Sequence, residues 1–426
     1  MDTPSSTASR SASQRIYGVG IGVFVAITLI LMLGGHWSIL EAIGVQPMEL
    51  PWADARTISG ASIALERGLD PLVANPGDPW HRVMNYPRPW LVFAAIGMRP
   101  EHTWVLAWLC FGALVAGFFT LRPLAQDRTT SYLLLLSLFA PTSWLAIERA
   151  NNDILMFSIC CATAALISLR PMIAALLIAT ASILKLYPIA ASVAYLREKP
   201  IAGPCYPSIL LVLFTVYAYA ISHDLQRIIA GTLEAEWLSY GIKIAPSIIA
   251  KNVPISEGML VLLAILSLLA TCIGGYWLRR KMRIGASGSP FHIAAFRIGS
   301  SIYLGSFLVG NSFDYRLMFL ILTVPQLVVW TRVHSSRLRL ITVIQLIIIL
   351  LVQWSQTWRA GMESLTTQSS YGLILDEALT WCCWIGFAIL NLLALPDWLV
   401  PTSAQGLAFA DNREDHLASE PIQTAP

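Results

Sequence analysis

Runs of mostly apolar residues near the ~20 needed for a bilayer-crossing helix recur along the whole chain. They fall at about 16–34, 104–121, 132–147, 153–169, 206–222, 257–277, 292–310, 316–332, 338–354 and 377–397. Polar backbone groups have no water to bond with in hydrocarbon, so repeated crossings demand helices that satisfy their own backbone. The charged fraction agrees: 12% against about 25% in soluble domains. These features predict an all-α polytopic membrane bundle of about twelve transmembrane helices, built as one membrane domain over 16–401. A polar segment, 1–15, precedes it, and a low-hydrophobicity tail, 402–426, follows and is expected to be disordered and cytoplasmic. With no small-residue cleavage site after the first apolar run, that run is expected to stay as an uncleaved helix.

Segment 171–196 decides the topology. As a single crossing it would strand Arg197, Lys199, Arg279, Arg280, Lys281 and Arg283 on the outer face. As a hairpin turning at Lys185-Leu186-Tyr187-Pro188, it returns them to the cytoplasm with Arg10, Arg15, Arg122, Arg128, Arg170, Arg332, Arg337 and Arg339, as the positive-inside rule asks. Pro188 supplies a local reason for the break, since it lacks an N–H and disfavours helix in the residue before it.

The hairpin topology places the remaining polar clusters on one outer face, periplasmic in a bacterial inner membrane. The longest is the first outer loop, 35–101, with Pro51-Trp52-Ala53-Asp54-Ala55-Arg56 and Asn85-Tyr86-Pro87-Arg88-Pro89-Trp90. A loop this long among short connectors signals a task. Asp54 precedes a short helix, Thr57 to Arg67, whose apolar face is expected to lie in the membrane interface; the plainer role of Asp54 is to cap that helix. Asp70 and Asp78 sit in strong turn signals. The second cluster, Glu148-Arg149-Ala150-Asn151-Asn152-Asp153, is more charged than a tight connector requires. Arg149 offers a fork of donors for phosphate, or a simple pair with Glu148. Lys185 follows an unbroken apolar stretch without a nearby carboxylate in sequence, which leaves snorkelling or phosphate binding. Asp314 and Arg316 flank Tyr315 at a span entrance and read as an ion pair by default, and Arg297 reads as a snorkelling cation. No Walker loop, Rossmann fingerprint or hydrolase elbow is present. The seven cysteines have no metal-ligand spacing. No cofactor, metal or nucleic-acid partner is therefore expected.

The order of Asp54, Glu148-Arg149-Ala150-Asn151-Asn152-Asp153, Lys185-Leu186-Tyr187-Pro188 and Phe313-Asp314-Tyr315-Arg316-Leu317 resembles the type C fold of membrane glycosyltransferases. Within that fold it is most similar to the bacterial polyprenyl-phosphate-mannose-dependent mannosyltransferases, over about residues 16–332. The resemblance implies transfer of a hexose, mannose first, from a polyprenyl-phosphate carrier to a glycan or glycolipid acceptor outside the cytoplasm, with inversion. It implies Asp54 as general base and Lys185, Arg149, Tyr187, Arg88 and Arg316 around the carrier phosphate. Glu148, Asn152, Asp153, Asp314 and Tyr86 would support the acceptor or the site. Related sequences carry Gly-Asn or Gly-Gln where this chain has Arg149-Ala150-Asn151, and an acidic pair where it has Asp54 alone. The alternative class is a transporter or flippase of a lipid-linked glycan. Transporters show paired broken helices with midplane charges, whereas here a single break is visible and the charges gather at one surface.

Overall fold

The computed structural model describes residues 4–196, 202–233, 235–251, 253–282, 284, 287–332, 336–365 and 370–400. Arg197, Lys199, Arg283 and the tail 402–426 lie outside the described residues. The chain is an all-α membrane bundle. We name its longer helices α1 (Pro4–Gly34), α2 (Ala53–Glu66), α3 (Thr103–Leu121), α4 (Arg128–Leu138), α5 (Pro141–Arg149), α6 (Asp153–Leu166), α7 (Pro171–Leu184), α8 (Ala202–Ala220) and α9 (Ser222–Ala230). There follow α10 (Glu257–Lys281), α11 (Pro290–Val309), α12 (Val324–Thr331), α13 (Ser336–Gln353), α14 (Ser355–Leu365) and α15 (Ser370–Leu393). Two-residue strands β1 (Ser239–Tyr240) and β2 (Ser312–Phe313) pair antiparallel, Ser239 opposite Phe313 and Tyr240 opposite Ser312.

Seven described helices are long and apolar enough to cross a membrane, and α4 with α5, bent by 44°, forms a broken span or a re-entrant loop. The bend has a local cause. Pro141 at the first turn of α5 cannot continue α4's hydrogen bonding. Four shorter apolar pieces supply the rest of the expected segments: α6, α7, a 3-10 segment Tyr187–Tyr195, and the 3-10 segment Asp314–Thr323 running into α12. At fourteen residues each, α6 and α7 measure about 21 Å and cannot span ~30 Å of hydrocarbon alone. The first helix also begins within the polar segment, at Pro4 rather than at 16.

The hairpin is settled by one contact. Tyr195, at the far end of Tyr187–Tyr195, donates its hydroxyl to the carbonyl of Pro171, where α7 begins, at 2.5 Å. The chain has therefore turned back at Lys185-Leu186. Arg297 marks the same end. It is buried, and donates to the carbonyls of Leu196 and Ala394, so it closes helix ends within the bundle rather than snorkelling. Arg332 pairs with Asp127 at 2.9 Å at the start of α4. Asp127 itself caps that helix by accepting from the Thr130 N–H.

The opposite end carries the first outer loop, and α2 departs from its expected place there. It starts at Ala53, so Asp54 lies in its first turn, where a carboxylate suits the helix dipole. It is also packed rather than interfacial: Thr57, Ile58, Ala61, Ser62 and Ala64 are all buried. Gly60 and Gly77 permit this. A Cβ on Gly60 would stand 2.6 Å from the Gly77 carbonyl carbon, and one on Gly77 would stand 2.3 Å from the Gly60 carbonyl oxygen. The loop 70–84 thus lies backbone to backbone on α2. The core's centre is Asp314–Thr323, whose residues Leu317 to Leu322 are at most 1% exposed. The apolar side chains left outside, such as Val216 of α8 and Leu262 and Ile273 of α10, are exposed along helices of crossing length and face hydrocarbon.

Gly60→Ala should push loop 70–84 away from α2 and cost about 1–3 kcal/mol, the usual penalty of overpacking. Thermal unfolding of the detergent-solubilised variant measures it, and an unchanged midpoint would show that the loop yields freely.

Candidate active site

Asp54 and Lys185 are far apart in sequence, and one amide joins them. Asn151 donates from Nδ2 to Oδ2 of Asp54 at 2.6 Å. Its Oδ1 accepts from Nζ of Lys185 at 3.2 Å and from the Asp153 N–H at 2.8 Å. The amide is thereby oriented: each end meets the partner its chemistry requires. Lys185 is 7% exposed, and its other donors go to Asn152 Oδ1 and the carboxylate of Asp153. The rings of Tyr86 and Tyr315 lie 5.1 and 6.0 Å from Nζ, within cation–π reach.

Asp153 neutralises two cations. It meets Lys185 on one oxygen and Arg316 Nε at 3.1 Å on the other, and also accepts from the Tyr187 hydroxyl at 2.7 Å. Arg316 further donates from Nη1 to Ser312 Oγ at 2.8 Å; its Nη2 bonds to nothing among the described residues. The expected Asp314–Arg316 pair does not form. Arg316 turns to Asp153, while Asp314 sits buried near Gln356 and Arg359.

Two chambers flank this chain of contacts. The smaller, about 230 Å³, is lined by Asp54, Thr57, Arg82, Arg149, Trp237 and Tyr315, among others. The larger, about 470 Å³, holds Lys185, Tyr187, Lys243 and Arg316 on one side and Ile189, Phe214, Ile229 and Val309 on the other. Asn85, Tyr86, Phe313 and Tyr315 line both, so the two chambers adjoin there. Ile229 and Val309, exposed by 73% and 76%, put the larger chamber's apolar wall at the protein surface. One chamber thus combines a carboxylate with arginines; the other combines a buried lysine and a half-buried arginine with a greasy rim.

Arg82 is the residue sequence reasoning missed. Its Nη1 lies 3.6 Å from Oδ1 of Asp54; Asp78, fully buried, grips its Nη2 at 2.9 Å, and a further contact runs to the Ala53 carbonyl. Burial works against its charge, but the Asp78 hydrogen bonds and the Asp54 charge hold its pKa above the ordinary value. The readable signal was the four-residue spacing from Asp78, which here anchors Arg82 as well as shaping a turn. Tyr86 stays a neutral phenol, its pKa raised first by burial and then by the charge of Asp54.

The remaining candidates divide. Glu148 pairs with Arg149 at 3.2 Å and accepts from the Met48 N–H at 2.9 Å, and its carbonyl accepts from the Trp52 N–H at 2.7 Å. It fastens the loop that carries Asp54. Arg149 donates to the Gln46 carbonyl and lines the Asp54 chamber, not that of Lys185. Arg88 lines neither chamber, being held at the surface by Asp224 at 2.7 Å and Asp70 at 2.9 Å. Its guanidinium is occupied in tying the first loop to α9.

Backbone strain marks the same places. Three described non-glycine residues have positive φ: Trp52 (65°), His81 (54°) and Ala150 (46°). They stand just before Asp54, Arg82 and Asn151. Such conformations cost of order 1–3 kcal/mol each and persist where surrounding contacts impose them.

Asp153→Ala should leave Lys185 and Arg316 without their carboxylate and destabilise the protein by about 3–5 kcal/mol, as expected for a broken buried pair. A loss below about 1 kcal/mol in thermal or denaturant unfolding would mean another group neutralises them.

No family model matches this chain, and no curated protein matches it. Among solved structures, it aligns with ArnT from Cupriavidus metallidurans bound to undecaprenyl phosphate at 12% identity, covering 95% of this chain and 81% of that one, with a TM-score of 0.34. An overlay that loose carries no argument about the chemistry here.

Proposed function

We propose that this membrane protein is a glycosyltransferase that moves a hexose, mannose first, from a polyprenyl-phosphate carrier to an acceptor on the outer face of the membrane. The observation that carries the reading is the adjoining pair of chambers, with a carboxylate in one, Lys185 and Arg316 in the other, and Asn151 bonded to both Asp54 and Lys185. A prenyl-phosphate sugar is a long apolar chain with an anionic head. The larger chamber offers matching parts: an exposed apolar wall and the cations Arg316 and Lys185. Arg316, with Nη2 open, is the direct phosphate ligand. Lys185 already spends its donors on Asp153, Asn151 and Asn152, so it acts through its charge unless an amide yields. Tyr187 steadies Asp153 in this arrangement, and Lys243 adds a further cation to the chamber.

In the smaller chamber Asp54 takes the proton of the acceptor hydroxyl as its oxygen attacks the anomeric carbon. The bond from that carbon to the carrier phosphate breaks in the same displacement, inverting the configuration. The leaving phosphate gains charge, which Arg316 and Lys185 stabilise, while the proton ends on Asp54. Arg82 and Asn151 hold the Asp54 carboxylate in position. Arg149, in the acceptor chamber, becomes an acceptor ligand, and Arg88 leaves the donor set for a role in holding the loop. A flippase would need a path between faces; Asp54, Arg82, Asn151, Lys185 and Arg316 instead meet at one end of the bundle.

Asp54→Asn should abolish sugar transfer from polyprenyl-phosphate sugars while leaving carrier binding nearly intact, and wild-type turnover would remove Asp54 as base. Arg316→Gln should raise the donor KM by about tenfold, or roughly 1.4 kcal/mol. An unchanged KM would exclude Arg316 from the phosphate site.

A further inference from the structure

A third cavity, about 350 Å³, adjoins the Asp54 chamber, and the reaction as described does not use it. The two meet at Trp237 and Leu238, which line both. Its walls are polar, with Gln46, Glu236, Lys251, Gln356, Arg359 and Glu363 among them.

Three of its features point to a ligand. Trp237 is 53% exposed, yet its backbone is fixed: Arg359 donates to its carbonyl at 2.5 Å and is itself held by Asp376 at 2.7 Å. The indole is therefore an open face on a rigid support. Gln356 is 3% exposed, and neither its Oε1 nor its Nε2 makes a hydrogen bond to the described residues, although Asp314 lies close by. Buried amide oxygens are nearly always satisfied, so this one marks a missing donor. Finally, Glu236 pairs with Lys251 at 2.6 Å and accepts from Ser247 at 2.5 Å, giving a rim of mixed charge. A lipid chain would leave these polar groups unpaired, and a rim of both signs favours no simple ion. A sugar ring fits: its C–H face packs on indole, and its hydroxyls serve as donors to the amide oxygen and the carboxylates.

We propose that this cavity is a subsite for a second sugar ring, so that the acceptor is a glycan of two or more residues. The reacting ring sits with Asp54, and the ring before it stacks on Trp237. This rests on reading the Asp54 chamber as the acceptor site.

The test uses the full-length protein in lipid nanodiscs without donor. Binding of tetrasaccharides of mannose, glucose, galactose and arabinose is compared with binding of their monosaccharides by ligand-observed NMR. At least one tetrasaccharide should bind about tenfold tighter than its monosaccharide. Trp237→Ala should erase that gain, while Trp237→Phe, which keeps a ring, retains most of it. Equal affinity for both lengths, or a gain that survives Trp237→Ala, overturns the subsite. Because no donor is needed, the two readings fail separately. Length-dependent binding without transfer from any polyprenyl-phosphate sugar would sink the transferase and keep a glycan site. Transfer without length dependence would sink the subsite alone.

Discussion

A single carboxylate, Asp153, has to balance two cations inside a membrane bundle. Lys185 and Arg316 come from different segments, one from the turn of a hairpin and the other from the entrance to the most buried stretch of the chain. Neither charge is tolerable in that setting alone, since the effective cost of burying an ion amounts to several kcal/mol. Asp153 therefore fixes the relative placement of α6, the α7 hairpin and the 314–323 segment. The short lengths of α6 and α7 belong to the same arrangement. Because the hairpin turns early, Lys185 is brought level with Asn151 and with the loop above it.

The sequence made the architecture legible wherever one physical rule dominated. Apolar run length identified the spans, and the placement of basic residues selected the hairpin, which the Tyr195–Pro171 contact shows. Charge in apolar surroundings singled out Lys185 and the Glu148–Asp153 cluster. What could not be read was pairing. Asp314 and Arg316 look like partners because they are two residues apart, yet β2 pairing and the 3-10 turn send them to different neighbours. Arg88 looks like a phosphate ligand until α9 brings Asp224 beside it. Arg82 drew no notice because its role depends on Asp78 being buried, a fact set by the glycine contact with α2.

The left-handed residues add a link between local conformation and site. Each stands at the point where a chain segment must turn sharply to present a polar side chain inward. Glu148 shows how one such turn is maintained: its carbonyl holds Trp52 while its carboxylate holds Met48 and Arg149. Residues outside the reacting groups thus carry much of the positional information. Exchanging only the side chains of the two chambers into another bundle would not reproduce the geometry.

The greasy rim of the larger chamber has a kinetic consequence. Ile229 and Val309, which line it, are exposed, so the prenyl-linked donor proposed for this chamber would arrive sideways, within the leaflet, without passing through water. Its effective abundance would then be set by mole fraction in the bilayer. Saturation would follow the ratio of carrier to phospholipid, and diluting the aqueous phase at constant lipid composition would leave occupancy unaltered.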